Sequence, residues 1–256
     1  MKIRLSSILL LIFGMFSMAF IIACASLPQD SPEKTEMYRR DVETASRILL
    51  ERAVQGTSEQ LRLEPARPAT YMMPEIRTMF LDNSSITGMG VRIQAWERQF
   101  MVLVADIATT IPSFMQDDVH AFTIPLDVDA ALLAQGTITV SPLFGESIRP
   151  ALVAHIAGLA FQAMSRTDAD GNSIADIWTG IKDSYRIWTE AWARFDGPWR
   201  QSLPGIWSAT DDEVMQALAE SLADDFLRRL SQEEDIIRST PIADDSDPVA
   251  LIFQSR

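Results

Sequence analysis

The sequence predicts an all-α fold, a single irregular multi-helix bundle, on three observations. Apolar residues recur at spacings of three and four over long stretches. Capping residues and prolines stand where those stretches begin. No stretch alternates apolar and polar residues long enough for a strand, "TITVS" (137–141) being a short candidate, and no internal repeat is visible.

The first element is a signal. Lys2 and Arg4 supply a positive end, and Leu5 to Ala23 form an apolar stretch broken only by small residues, the charged-then-apolar layout of an exported chain. Ile21-Ile22-Ala23-Cys24 stands at the cleavage point and holds the single cysteine. It resembles the lipobox of bacterial lipoproteins. The resemblance implies lipidation of the Cys24 thiol, signal cleavage before it, and acylation of the freed amine. Each position suits that chemistry: a thiolate is the nucleophile, the small Ala23 leaves the scissile bond accessible, and branched apolar residues stay in the bilayer. An uncleaved anchor is the competing reading, since the stretch approaches the ~20 apolar residues of a span.

The remaining boundaries follow. Residues 1–23 read as signal, 24–32 as a lipidated tether, 33–240 as the helical domain and 241–256 as an acidic, partly mobile tail. A lone cysteine excludes an internal disulfide, so the fold must rest on its core. Without Lys2 and Arg4 the chain keeps 20 basic against 35 acidic side chains, a net charge of −15. That surface disfavours nucleic acid as a partner. Ala25 and Ser26 follow the cysteine with no aspartate next to it, which by the lipoprotein resemblance implies the outer membrane, facing the periplasm.

Ser31-Pro32 predicts a helix cap followed by proline in the first turn, and Met37, Val42, Ala45, Ile48, Leu49 and Ala53 carry the helix to Gly56. "EPARPATYMMP" (64–74) reads as an extended connection, Pro74 to Leu81 as a short helix and "NSSITGMG" (83–90) as a loop. The chain is expected to be helical from Val91 to Thr110, with Pro112 opening a new segment to about Phe122. Asp127 to Gln135 reads as a short helix ended by Gly136. Ser141-Pro142 opens one that runs to about Ser165, with Pro150 expected to kink or divide it. Ile174, Trp178, Ile181, Tyr185, Trp188, Trp192 and Phe195 mark one helix face. Thr210-x-x-Glu213 is a capping box opening a helix with Val214, Leu218, Leu222, Phe226 and Leu230 on its apolar stripe, ending near Arg238. Val249 to Phe253 is apolar enough to dock back onto the body.

Candidate sites are few. Asp168, Asp170, Asn172 and Asp176 occupy positions 1, 3, 5 and 9 of a calcium-loop register, but Ser173 and Thr179 replace the glycine and the bidentate glutamate such a loop uses. The alternative is a helix–helix turn in which Ser173 caps the tryptophan-rich helix with Asp176 three residues on. His155 lies on the stripe Ile148, Leu152, Leu159 and reads as a core residue. His120 stands near Asp117 and Asp118, and with Asp127 and Asp129 these are the titratable groups an enzyme would have to use. The chain lacks HExxH, GxSxG, P-loop and GxGxxG patterns, so no catalytic residue, metal ligand or cofactor is assigned. The tryptophans and twelve methionines admit a ligand cavity between helices, although a stripe at helical spacing is more often core.

The segment "LVADIATTIPSFMQDDVHAFTIPLDVDAALLAQGTITVSPLF", followed by "IRPAL", resembles domain-of-unknown-function family number 4197 of exported Gram-negative proteins. The local match is strongest at Asp129-Ala130-Ala131-Leu132-Leu133-Ala134-Gln135-Gly136, and the likeness spans about residues 90–160. It implies an exported, mainly helical protein with no established catalytic residues. The expectation is therefore a lipid-anchored envelope scaffold or interaction module with a membrane and an envelope protein as partners. The alternative is a carrier of an apolar or aromatic ligand.

Overall fold

The computed structural model describes residues 32–72, 89–167, 171–192 and 210–254, and among them the fold is an all-α multi-helix bundle. In chain order come α1 (Pro32–Leu63), a 3-10 turn (Pro68–Tyr71), α2 (Met89–Ala121), α3 (Ala130–Ala134), α4 (Val140–Met164), α5 (Ile174–Trp192), α6 (Asp211–Ser239) and a π-helical turn (Ala250–Gln254). "TITVS" forms no strand, and the β feature among the described residues is the isolated bridge Thr167–Ser173. The chain divides after Arg40 into two units. The first, described from residue 32, holds the opening of α1 with its Glu36–Arg40 ion pair. The second, Asp41–Arg256, carries the core.

α1 does not stop at Gly56 but continues to Leu63. Val42, Ala45, Leu49, Leu50, Ala53, Val54 and Leu61 are buried, so one apolar face runs straight through the glycine and outweighs its ~1 kcal/mol helix penalty. A Cβ at Gly56 would meet Glu233 Oε1, the end of a flexible side chain, at 2.5 Å. The connection 64–74 is not wholly extended either, since Pro68–Tyr71 makes a 3-10 turn. The short helix expected at Pro74–Leu81 lies outside the described residues.

α2 corrects the expected break at Pro112. It begins at Met89, inside the segment read as a loop, and runs unbroken to Ala121. Proline removes one i→i−4 bond and costs about 3 kcal/mol in a helix interior. Ile107, Ala108, Ile111, Met115 and Val119 are all buried, so the same face stays in the core on both sides of the proline, and burying each large apolar side chain contributes about 1.5–3 kcal/mol. α5 lies antiparallel to α2: Gln99 donates to the Asn172 carbonyl, and Trp96 lies 6.0 Å from Trp178 with Phe100 stacked on Trp96 at 4.4 Å. Of the α5 stripe, Ile174, Trp178, Ile181 and Tyr185 are buried and Trp188 is partly buried against the core, while the Trp192 side chain falls outside what is described. Phe195 falls outside the described residues.

α3 is shorter than the expected 127–135, because Asp129 is its cap: its carboxylate accepts the Ala131 N–H at 2.8 Å. Gly136 then takes a positive φ of 74°, the left-handed turn that glycine adopts freely. α4 starts at Val140 with Thr139 at the cap position, and Ser141 lies inside the helix rather than capping it. Pro150 does not divide it. α4 and α6 pack antiparallel over much of their lengths, with Ser141 against Leu230, Gly145 against Leu227 and Arg149 paired to Asp224. Alanines at 160, 163, 219 and 223 are buried in these two helices. The Thr210–Glu213 capping box is formed with both reciprocal bonds, and Val214, Leu218, Leu222, Phe226 and Leu230 of α6 are fully buried.

Candidate functional site

The N-terminal residues to 31, Cys24 among them, lie outside the described residues, and no helix among the described residues is long and apolar enough to cross a membrane.

The acids around His120 do not gather. Asp117, Asp118, His120, Asp127 and Asp129 are all exposed, and Asp129 is engaged in capping α3. His120 instead borders a cleft of about 180 Å3 between α1 and α2. Glu51, Gln55, Ser113 and Gln116 supply the other polar lining, and Val54, Pro112 and Val119 the apolar lining. This is below the ~300 Å3 at which small-molecule sites begin. General acid–base work requires an acid, a base and a reacting atom held together. Here Glu51 and His120 are the titratable groups of the cleft, and no described group positions either.

His155 is half-buried on its stripe and hydrogen-bonded. Its Nε2 lies 3.0 Å from Thr110 Oγ1 and its ring stacks on Phe114 at 4.1 Å and 10°. Burial pushes the imidazole below its ordinary value, so the neutral form predominates at pH 7. It holds α4 to α2.

The calcium-register segment is described only in part, Asp168 and Asp170 falling outside. In the described half, Ser173 Oγ accepts the Asp176 N–H at 3.0 Å, while the Ser173 N–H and hydroxyl donate to Asp176 Oδ2 at 3.1 and 2.6 Å. This is the reciprocal helix cap, the second of the two sequence readings. It holds the Asp176 carboxyl below the usual range, chiefly through the Ser173 hydroxyl. Among the described residues no three His, Cys, Asp or Glu side chains converge as a metal-holding group.

Two buried polar centres were not foreseen. In the first, the Tyr71 hydroxyl donates to Asp225 Oδ2 at 2.9 Å, and Arg229 Nε donates to the same oxygen at 3.0 Å, pinning the 3-10 turn to α6. Burial first, and the Asp225 charge second, push the Tyr71 phenol far above its ordinary value, so it stays protonated.

The second centre is Glu234, fully buried on α6. Its two oxygens accept the backbone N–H groups of Val140 at 2.9 Å and Ser141 at 2.7 Å, capping α4 from another helix where Thr139 makes no side-chain cap. Arg238 Nε donates to the same carboxylate at 2.8 Å, and Arg238 Nη1 donates to the Leu133 carbonyl at the end of α3 at 3.0 Å. One sequence signal existed: 230 plus four places Glu234 on the apolar stripe of α6, where a carboxylate must find partners. For Asp225 and Tyr71, 154 residues apart, no such signal existed.

The chain matches no family model, no curated protein and no solved structure.

Proposed function

We propose that this chain is a lipid-anchored bacterial envelope protein acting as a non-enzymatic scaffold or interaction module, held through Cys24 at the outer membrane and facing the periplasm. The observation that carries it is the placement of the only cysteine directly behind the apolar run Leu5–Ala23, in Ile21-Ile22-Ala23-Cys24. One acyl chain binds a membrane only reversibly, whereas the two or three chains of a mature lipoprotein hold it. An envelope protein is the partner class, and nucleic acid is disfavoured by the net charge of −15 left after removal of Lys2 and Arg4.

The non-enzymatic half is supported by how the ionisable groups are used. Among the described carboxylates, Asp129, Glu213 and Glu234 cap helices, and others pair with basic side chains along a helix, as Glu59 does with Arg62, or across helices, as Asp224 does with Arg149. A carrier of an apolar or aromatic ligand needs open space beside Trp178, Trp188 or Trp192. Trp178 is buried against Trp96, Trp188 is partly buried beside Tyr185, and the Trp192 side chain falls outside what is described.

The test is palmitate labelling of the full chain in a Gram-negative host, with separation of inner and outer membranes. Wild type should label and fractionate with the outer membrane, and Cys24→Ala should lose both. A Cys24→Ala variant that still labels would overturn the anchoring.

A further inference from the structure

The tail segment 241–254 docks back onto the body, and polar residues as well as the apolar run Val249–Phe253 hold it. Asp247 reaches α1, where Arg52 donates to both of its carboxylate oxygens at 3.2 and 2.5 Å. The same carboxylate accepts the Val249 N–H at 2.8 Å, and the Val249 side chain is fully buried. Gln254 closes the end of α6: its amide nitrogen donates to the Ile237 and Thr240 carbonyls, both at 2.7 Å, and its oxygen accepts the Ile242 N–H at 3.0 Å. Those carbonyls belong to the last turn of α6 and its cap, where a helix leaves acceptors without internal partners.

The fourth contact differs in kind. The Phe253 ring lies over the Arg238 guanidinium at 4.1 Å. Arg238 is the residue that joins the Glu234 carboxylate to the Leu133 carbonyl, and Glu234 caps α4. The tail therefore reaches the α3–α4 junction through the Phe253 ring on Arg238. An aromatic face over a guanidinium both attracts the cation and keeps water from it. Shielding from water strengthens the ion pair beneath, because charge interactions grow as the local dielectric falls. Lifting the ring lets water onto Arg238, weakens its hold on Glu234 and loosens the cap on Val140 and Ser141.

We propose that segment 241–254 is a latch: closed, it locks the α3–α4 junction through Phe253, Arg238 and Glu234, and its release unlocks that junction while the α2–α5 pair stays folded. The latch has two catches, Asp247 on Arg52 and Phe253 on Arg238. They act on different helices, and each alone reports on the segment's position. The device makes the order of residues 133–141 depend on a segment remote from them in sequence, which any binder of the tail can shift.

Amide hydrogen exchange on the full chain tests this, comparing wild type with Asp247→Asn, Phe253→Ala, Phe253→Leu and Phe253→Trp. Asp247→Asn and Phe253→Ala should each speed exchange at Val140 and Ser141 about ten-fold, together with the tail, and leave the amides around Trp96 and Trp178 unchanged. Phe253→Trp should keep the protection at Val140 and Ser141. Phe253→Leu, apolar but without a ring face, should lose it. Faster exchange confined to the tail would overturn the latch, since the segment would then be simple terminal packing. Equal acceleration in α2 and α5 would overturn it too, because the tail would then belong to the global core. Equal protection in Phe253→Leu and Phe253→Trp would refute the route through Arg238.

Discussion

Replacing Glu234 by alanine removes the acceptor for two backbone N–H groups and leaves Arg238, itself only 10% exposed, without its counter-charge. Breaking a buried ion pair from one side costs about 3–5 kcal/mol. An orphaned buried donor costs about 1–3 kcal/mol, and losses within one network overlap rather than add. Arg238 keeps the Leu133 carbonyl and the Phe253 ring, which places the total in the lower part of the range, about 3 kcal/mol. Against a domain stability of about 5–15 kcal/mol this is a large fraction. Urea unfolding followed by circular dichroism reads it: with a slope of about 2–3 kcal/mol per M, the midpoint should fall by about 1–1.5 M. A double-variant cycle isolates the pair. Glu234→Leu with Arg238→Leu should be less destabilised than the sum of the two single variants by about 1–3 kcal/mol, because no lone charge then remains inside. A midpoint unmoved by Glu234→Ala would show that the carboxylate does not cap α4 in solution, and strict additivity in the cycle would show that it does not pair with Arg238.

Trp178→Ala should destabilise by about 3–5 kcal/mol and flatten the near-ultraviolet dichroism from the Trp96–Trp178 contact. A loss below about 1 kcal/mol would mean that the ring sits in a loose, ligand-sized space rather than a filled core. The Arg52 hydrogen bond holds the Asp247 carboxyl below the usual aspartate range. A carboxyl lowered on folding contributes stability that is present above its unfolded pKa of about 3.9 and is lost as pH falls through its lower folded value. Asp247→Asn should therefore be less stable than wild type at pH 7, with the gap closing below about pH 4 in urea melts taken across pH. A gap that stays constant from pH 7 to pH 3 would refute the pairing.

Interactions between residues three or four apart were legible before any coordinates. Apolar spacing placed α5 and α6 and chose their buried faces, and Thr210-x-x-Glu213 marked the start of α6. The Ser173–Asp176 cap was one of the two readings its segment allowed, and the contact lies within one turn of chain. Its competitor, a calcium loop, shares Asp176 with it, and that carboxylate is turned to Ser173. The lipidation proposed at Cys24 rests on that residue and its sequence neighbours alone.

Contacts between distant residues decided the rest. Local propensity places breaks at Gly56 and Pro112, yet both helices continue, because one buried face on each side of the residue outweighs a penalty of about 1–3 kcal/mol. Ser141-Pro142 looks like a cap, but the cap of α4 comes from Glu234, 93 residues away, since a fully buried carboxylate takes whatever donors the fold brings to it. The apolar run Val249–Phe253 signals that the tail docks back, but the counter-charge of Asp247 is Arg52, 195 residues away, which the tail's own sequence does not indicate. Periodicity tells a helix which face to bury and leaves open what it meets there. That choice is made by packing among elements far apart in the chain, and packing determined which polar groups of this protein lie inside.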